Sequence, residues 1–189
     1  MKRLATLTLA LLAASQLSAC FPLVVAGVGT GVAVAQDRRA TSVVLNDQEI
    51  ENGVARSIGN KYGKLTHVNV TSYNRSVLLT GEVPDDAARA DVERLAAQIE
   101  GVRKVYNEVV VMLPSSLAAR TGDAALTTRI KAAMTGSNRV SPLHVKVVTE
   151  RSQVFLLGLV KQDEGTAAAE IASQTSGVEK VVTLFEYTD

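Results

Sequence analysis

The sequence predicts an α+β fold built twice in tandem, each copy a three-stranded mixed sheet with two helices on one face. Three observations lead there. First, the chain repeats itself: His67/His144, Val77/Val154, Gly81/Gly158 and Val83/Val160 are each 77 residues apart, and Ile50, Val54 and Ile58 recur as Leu126, Ile130 and Met134 at an offset of 76. The segment GVRKV at 101–105 returns as GVEKV at 177–181. Slips of one residue confined to connections mark one folded unit made twice. Second, residues 143–160 and 67–83 alternate apolar and polar around a short polar turn, the pattern of a β-hairpin. Third, the segments flanking each hairpin carry apolar residues at helical spacing.

Within each copy the expected order is helix, strand, strand, helix, strand. Asn46, Asp47 and Glu49 are the expected start of the first helix, with Ile50, Val54 and Ile58 as its stripe; Asp123 is the expected cap of its counterpart, with Leu126, Ile130 and Met134. After the hairpin, Asp85 opens a helix with Ala88, Val92, Leu95, Ala96 and Ile99 on one face, repeated as Ala168, Ile171, Ala172 and Thr175. Gly101 and Gly177 read as left-handed C′ caps of these helices. Residues 105–111 and 181–187 are the closing strands, each joined to its hairpin by a crossover and therefore parallel to its neighbour. This places one domain at 46–113, a linker at 114–122 with Pro114, and a second domain at 123–189.

The 189 residues are 47% hydrophobic and 4% aromatic, with no Trp and a net charge of +1. Bulk nucleic-acid binding is excluded, because it calls for a basic stripe with stacking aromatics. Cys20 is the single cysteine, so neither an internal disulfide nor a multi-cysteine metal site is available. Its setting explains it. Lys2 and Arg3 precede an apolar stretch at 4–14, and Leu17-Ser18-Ala19-Cys20 closes the segment as a lipobox. Residues 1–19 therefore read as a lipoprotein signal peptide, and Cys20 as the acylated anchor. Two or three acyl chains hold a protein on a membrane effectively permanently. Residues 20–45 read as a tether. Pro22, Gly27, Gly29 and Gly31 argue against a transmembrane helix there, and fully extended the 25 residues from 21 to 45 would reach roughly 80 Å.

The hairpin signature V-x-L-x-G-x-V (Val77, Leu79, Gly81, Val83 and Val154, Leu156, Gly158, Val160), followed by G-V-x-x-V, resembles the BON domain. With the lipobox and both copies, residues 17–189 resemble the dual-BON outer-membrane lipoproteins. The resemblance implies a non-enzymatic protein facing the periplasm, anchored in the outer membrane with Phe21 rather than Asp after the cysteine. It also implies binding to anionic phospholipid through the first helix of the second domain, support of envelope integrity and association with the division site. Ala125 stands where relatives carry a tryptophan, so an aromatic wedge is missing.

By helical spacing Leu126, Ile130, Ala133 and Met134 face the sheet, leaving Ala125, Thr128, Arg129, Lys131, Ala132 and Thr135 outward as the expected phospholipid contact, with Arg139 just beyond. From 126 to 151 the chain carries Arg129, Lys131, Arg139, Lys146 and Arg151 against Glu150 alone, while residues 152–189 carry two lysines and six acids. An anionic surface would prefer that cationic end. The alternative is a structural or interaction module for outer-membrane assembly, division or cell-wall-associated proteins. No cofactor, metal or catalytic set is expected. His67 and His144 read as a repeated feature, and Asp85-Asp86 and Asp163-Glu164 as helix-start charges rather than acid–base pairs. Lastly, Phe155, Leu157 and Leu159 occupy the outer face of their strand, where the first copy has Leu78, Thr80 and Glu82; that apolar face is expected to be covered by the other domain or the linker.

Overall fold

A computed structural model describes residues 37–188. The expected signal peptide, Cys20 and all but the end of the tether lie outside the described residues. The first copy comprises α1 (Thr41–Tyr62), β1 (His67–Tyr73), β2 (Ser76–Val83), α2 (Asp86–Ala97), β3 (Lys104–Asn107) and β4 (Val110–Val111). The second comprises α3 (Leu117–Ser137), β5 (Val145–Glu150), β6 (Gln153–Val160), α4 (Gln162–Gln174) and β7 (Lys180–Tyr187). The long middle strand organises each sheet: β2 pairs antiparallel with β1 and parallel with β3 and β4, and β6 does the same between β5 and β7. The mixed sheets are those the repeat predicted. The closing strand of the first copy differs in being broken at Glu108 and Val109, where the Val109 amide bonds the Asn107 side chain and the valine itself turns into the core.

Both first helices begin earlier than expected. The α1 helix starts at Thr41, and α3 at Leu117, capped by Ser116, whose hydroxyl accepts from the Ala119 amide at 3.2 Å. Residues 117–122 of the expected linker are therefore helical, because Leu-Ala-Ala-Arg behind a serine is a good opening turn. Asp47 and Asp123 consequently cap nothing in their own helices. They sit buried in mid-helix under the hairpin turns, Asn74-Arg75 and Arg151-Ser152, all four of which have positive φ. Two-residue turns of that hand match the twist of the flanking strands but leave amides pointing inward. Asp47 accepts from the Asn74 and Arg75 amides at 2.8 and 2.7 Å, and Asp123 from those of Arg151 and Ser152 at 2.9 and 3.0 Å.

Gly101 and Gly177 have φ of 87° and 97°, yet neither is the C′ residue. Each stands third in a turn after its helix, closed by the Val102 amide on the Ile99 carbonyl and by the Val178 amide on the Thr175 carbonyl. Gly81 is required more strictly: its φ is 107° and a Cβ there would lie 2.0 Å from the His67 carbonyl oxygen across the hairpin.

Three apolar layers result. One face of each middle strand packs on its own helices: Val77, Leu79 and Val83 against Ile50, Val54, Ile58, Val92 and Ala96, and Val154, Leu156 and Val160 against Leu126, Ile130, Met134, Ala168 and Ala172. The opposite faces of the two sheets meet each other through Tyr73, Leu78, Phe155 and Leu157, flanked by Tyr106, Val148, Leu159, Val182 and Leu184. Phe155 and Leu157 are 2% and 1% exposed, so the cover expected for them is the other sheet. Each fully covered side chain of this size contributes about 1.5 to 3 kcal/mol, which makes residues 37–188 two sheets back to back rather than two beads on a string.

Candidate functional site

The face expected to meet lipid is presented by α3. Its buried stripe is Asp123, Leu126, Ile130 and Met134, while Ala125, Thr128, Arg129, Lys131, Ala132 and Thr135 are all exposed, as is Arg139 after the helix. Ala133, expected on the sheet side, is exposed, because the buried residues of α3 form a single file at spacings of three and four, Asp123, Leu126, Ile130 and Met134, that leaves its neighbour outside. The hydroxyls of Thr128 and Thr135 donate to the Ala124 and Lys131 carbonyls at 3.0 Å each, which holds them against the helix and leaves their methyl groups outward. Asp123 is the only acid of α3 and is consumed by the turn amides, so the outward surface of this helix carries no negative charge.

The cationic end divides once contacts are considered. Arg139 pairs with Glu170 at 2.8 Å, Lys146 reaches across to Glu51 of the first copy at 3.0 Å, and Arg151 lies 3.7 Å from Glu82. Arg129 and Lys131 have no acidic partner within 4 Å among the described residues. These two are the cations left to act on something outside the chain. The equivalent surface of α1 carries Glu49 exposed, with Glu51 partly so.

A second polar constellation lies at the junction of the copies, one that reading each copy by itself does not reveal. His67 and Glu82 are cross-strand partners, with His67 Nδ1 3.0 Å from Glu82 Oε2. Glu150, at the end of β5, approaches the same point and accepts from Asn69 Nδ2 at 2.7 Å. Burial raises the Glu150 carboxyl above its usual range; the Asn69 bond opposes this and the Glu82 charge adds to it. Ser115, in the connection between copies, donates its amide to Glu82 Oε2 at 3.1 Å. Beside the cluster a cavity of about 230 Å³ is lined by Asn69, Asp123, Thr127, Thr149 and Glu150 among others. The signal that would have found the cluster is a comparison of the copies: Glu82 corresponds to Leu159 and Glu150 to Tyr73, charge against apolar at matching places. Asn69 and Asn74 also bridge the copies, Asn74 Nδ2 donating to Glu186 at 2.8 Å.

His144 has no such junction. Its Nδ1 is buried without a hydrogen-bond partner, 3.6 Å from Glu164. Neither acidic dipeptide forms an acid–base pair: Asp85 caps α2 through the Ala88 amide at 2.7 Å, and Glu164, in the first turn of α4, accepts from the Lys161 amide at 2.8 Å.

The BON domain family matches residues 46–112 and again 122–189. This chain belongs to the BON-domain family. It is 39% identical over 176 residues to the "Outer membrane lipoprotein DolP" of Haemophilus influenzae, covering 92% of this chain and 91% of the relative. A "21 kDa hemolysin" of Actinobacillus pleuropneumoniae is 33% identical over 80% of this chain and 79% of its own. The "Osmotically-inducible protein Y" of Escherichia coli is 32% identical over 62% and 60%. Coverage of 92% of this chain and 91% of the relative, with two matched domains, makes this BON protein an outer-membrane lipoprotein of the dual-domain kind. The same relationships point to a non-catalytic protein. Among the described residues no helix is long and apolar enough to cross a membrane.

Proposed function

We propose that this BON protein is anchored by an acylated Cys20 after removal of residues 1–19, faces the periplasm, and contacts anionic phospholipid through the outward surface of α3, supporting envelope integrity and acting at the division site. The observation that carries this reading is the acid-free surface of α3 with Arg129 and Lys131 unpaired among the described residues. With alanine at 125 the surface inserts little apolar area, so head-group electrostatics dominate. At about 1 kcal/mol per basic residue near an anionic membrane, two residues supply roughly a 30-fold preference. That is weak for a free protein and sufficient for a tethered one, because the anchor keeps the domain at high local concentration.

The test is co-sedimentation of residues 37–189 with liposomes of graded anionic content, at low and moderate ionic strength. Binding should rise with anionic lipid, fade with salt as the charges are screened, and be lost when Arg129 and Lys131 are both changed to Glu. Unchanged binding by that double variant removes α3 as the site. Ala125→Trp should strengthen binding and reduce its salt dependence. For the anchor, Cys20→Ala should release the full chain from the outer-membrane fraction. The alternative, a module that docks a protein of the envelope, is favoured by one observation, the exposure of Leu113 and Leu117 at 87% and 80% beside the junction.

A further inference from the structure

We infer that the junction of the two BON domains is a divalent metal site, with His67, Glu82 and Glu150 as ligands and a zinc-like borderline cation as the ion it suits. The three side chains come from both domains, and each offers a ligand atom within 4.8 Å of the others. Imidazole with two carboxylates is a donor set that zinc accepts, at metal–ligand distances near 2.0 to 2.2 Å. A tetrahedral shell of that size needs ligand atoms about 3.4 Å apart, so the cluster must tighten by about an ångström. Glu150, the last residue of β5, is the member placed to move.

The second observation is an unmet demand. Glu82 is 0% exposed, and its Oε1 has no hydrogen-bond partner, although its Oε2 is served by His67 and Ser115. A buried carboxylate oxygen left unpaired is costly. The nearest cation, Arg151 Nη1, stands 3.7 Å away, beyond hydrogen-bond distance. Glu150, itself 7% exposed, brings a second carboxylate to the same place instead of relief. Arg151 offsets part of the charge, Asp123 adds to it from α3, and Arg120 reaches the cavity wall. A dication bound here answers both carboxylates at once and leaves the fourth coordination position toward the cavity, where a water fits. The matching place in the pseudo-symmetric junction has Leu159, which offers no ligand atom, and Tyr73, whose hydroxyl already accepts from the Leu159 amide, so among the described residues the three-ligand set occurs once.

The expected property is a metal-dependent clasp between the domains, since ligands from both are drawn onto one ion. The test uses tag-free full chain in detergent, stripped with chelator and titrated with Zn²⁺, Mn²⁺ and Mg²⁺ by calorimetry, with thermal unfolding in parallel. One equivalent of Zn²⁺ should bind and raise the unfolding midpoint, ahead of Mn²⁺ and far ahead of Mg²⁺. His67→Gln and Glu150→Gln should each weaken Zn²⁺ binding at least about 10-fold. His144→Gln, which changes the equivalent histidine, should leave it unchanged. Glu150→Gln keeps the size of the side chain, so a native circular dichroism spectrum separates lost ligation from lost fold. Absence of saturable one-to-one binding, or affinity undiminished in both ligand variants, would overturn the proposal, because His67, Glu82 and Glu150 would then hold no metal.

Discussion

The two BON copies share a backbone plan and differ in what they present to each other. In both, a mid-helix aspartate satisfies the amides of a two-residue turn, a glycine admits the histidine carbonyl across the hairpin, and the segment before the first helix leans on the opposite domain. Arg38 reaches the second copy, where it donates to the Leu159 carbonyl and to both oxygens of Glu164. Arg39 stacks over the Tyr73 ring with its carbon 3.9 Å from the centroid. Ser115, at the corresponding place, donates to Glu82 of the first copy. The approach is reciprocal but the chemistry is not. One junction is aromatic and strapped by arginines, with the Leu159 amide donating to the Tyr73 hydroxyl at 3.3 Å; the other gathers His67, Glu82 and Glu150. Duplication preserved the pairing of the faces, and divergence at the facing positions gave one junction an aromatic contact strapped by arginines and the other the cluster proposed to take a metal.

The largest expected effect tests whether the copies are one cooperative body. Phe155→Ala truncates a ring in the shared layer and should cost about 3 to 5 kcal/mol, with both copies unfolding in a single denaturant transition. Two separated transitions in the unsubstituted chain would break the comparison at its root.

Next come the aspartates under the turns. Asp47 serves the Asn74 and Arg75 amides, the Ser72 hydroxyl and Arg39, whereas Asp123 serves two turn amides. Asp47→Ala should therefore cost about 3 kcal/mol and Asp123→Ala about 2, read from urea midpoints. Equal losses would show that the Arg39 strap adds nothing to the first copy.

The strap also sets a pH dependence. Hydrogen bonds from Arg38 hold the Glu164 carboxyl down at about 2, against an ordinary value of 4.5. A carboxyl depressed in the folded state stabilises fully above its unfolded value and loses that contribution as pH falls through the folded one. Stability should thus decline between pH 4.5 and about 2, and Arg38→Ala should flatten that part of the profile. An unchanged slope would detach residue 38 from the junction. The smallest effect is expected at the exposed Arg139–Glu170 pair, where Arg139→Ala should change stability by less than about 1 kcal/mol and leave the Arg38 profile untouched.

Much of this protein was written in the linear chain. The repeat, the hairpin alternation and the helical stripes fix the elements and their inward faces, because periodicity reports burial directly. The apolar outer face of β6 even required a partner. What the chain could not show was which residues of different copies meet. Asp47 and Asp123 look like helix caps because aspartate before an apolar stripe usually is one; only folding puts the turn amides above them. His67, Glu82 and Glu150 are separated by 15 and 68 positions and converge through cross-strand pairing and then through sheet-on-sheet packing. Of five cations at one end of the second copy, tertiary packing gives three an acidic neighbour within 4 Å and leaves Arg129 and Lys131 without one among the described residues. Local pattern determines an element by which neighbours along the chain share a face, while charge pairing and ligation depend on distances in space that only the packed structure decides.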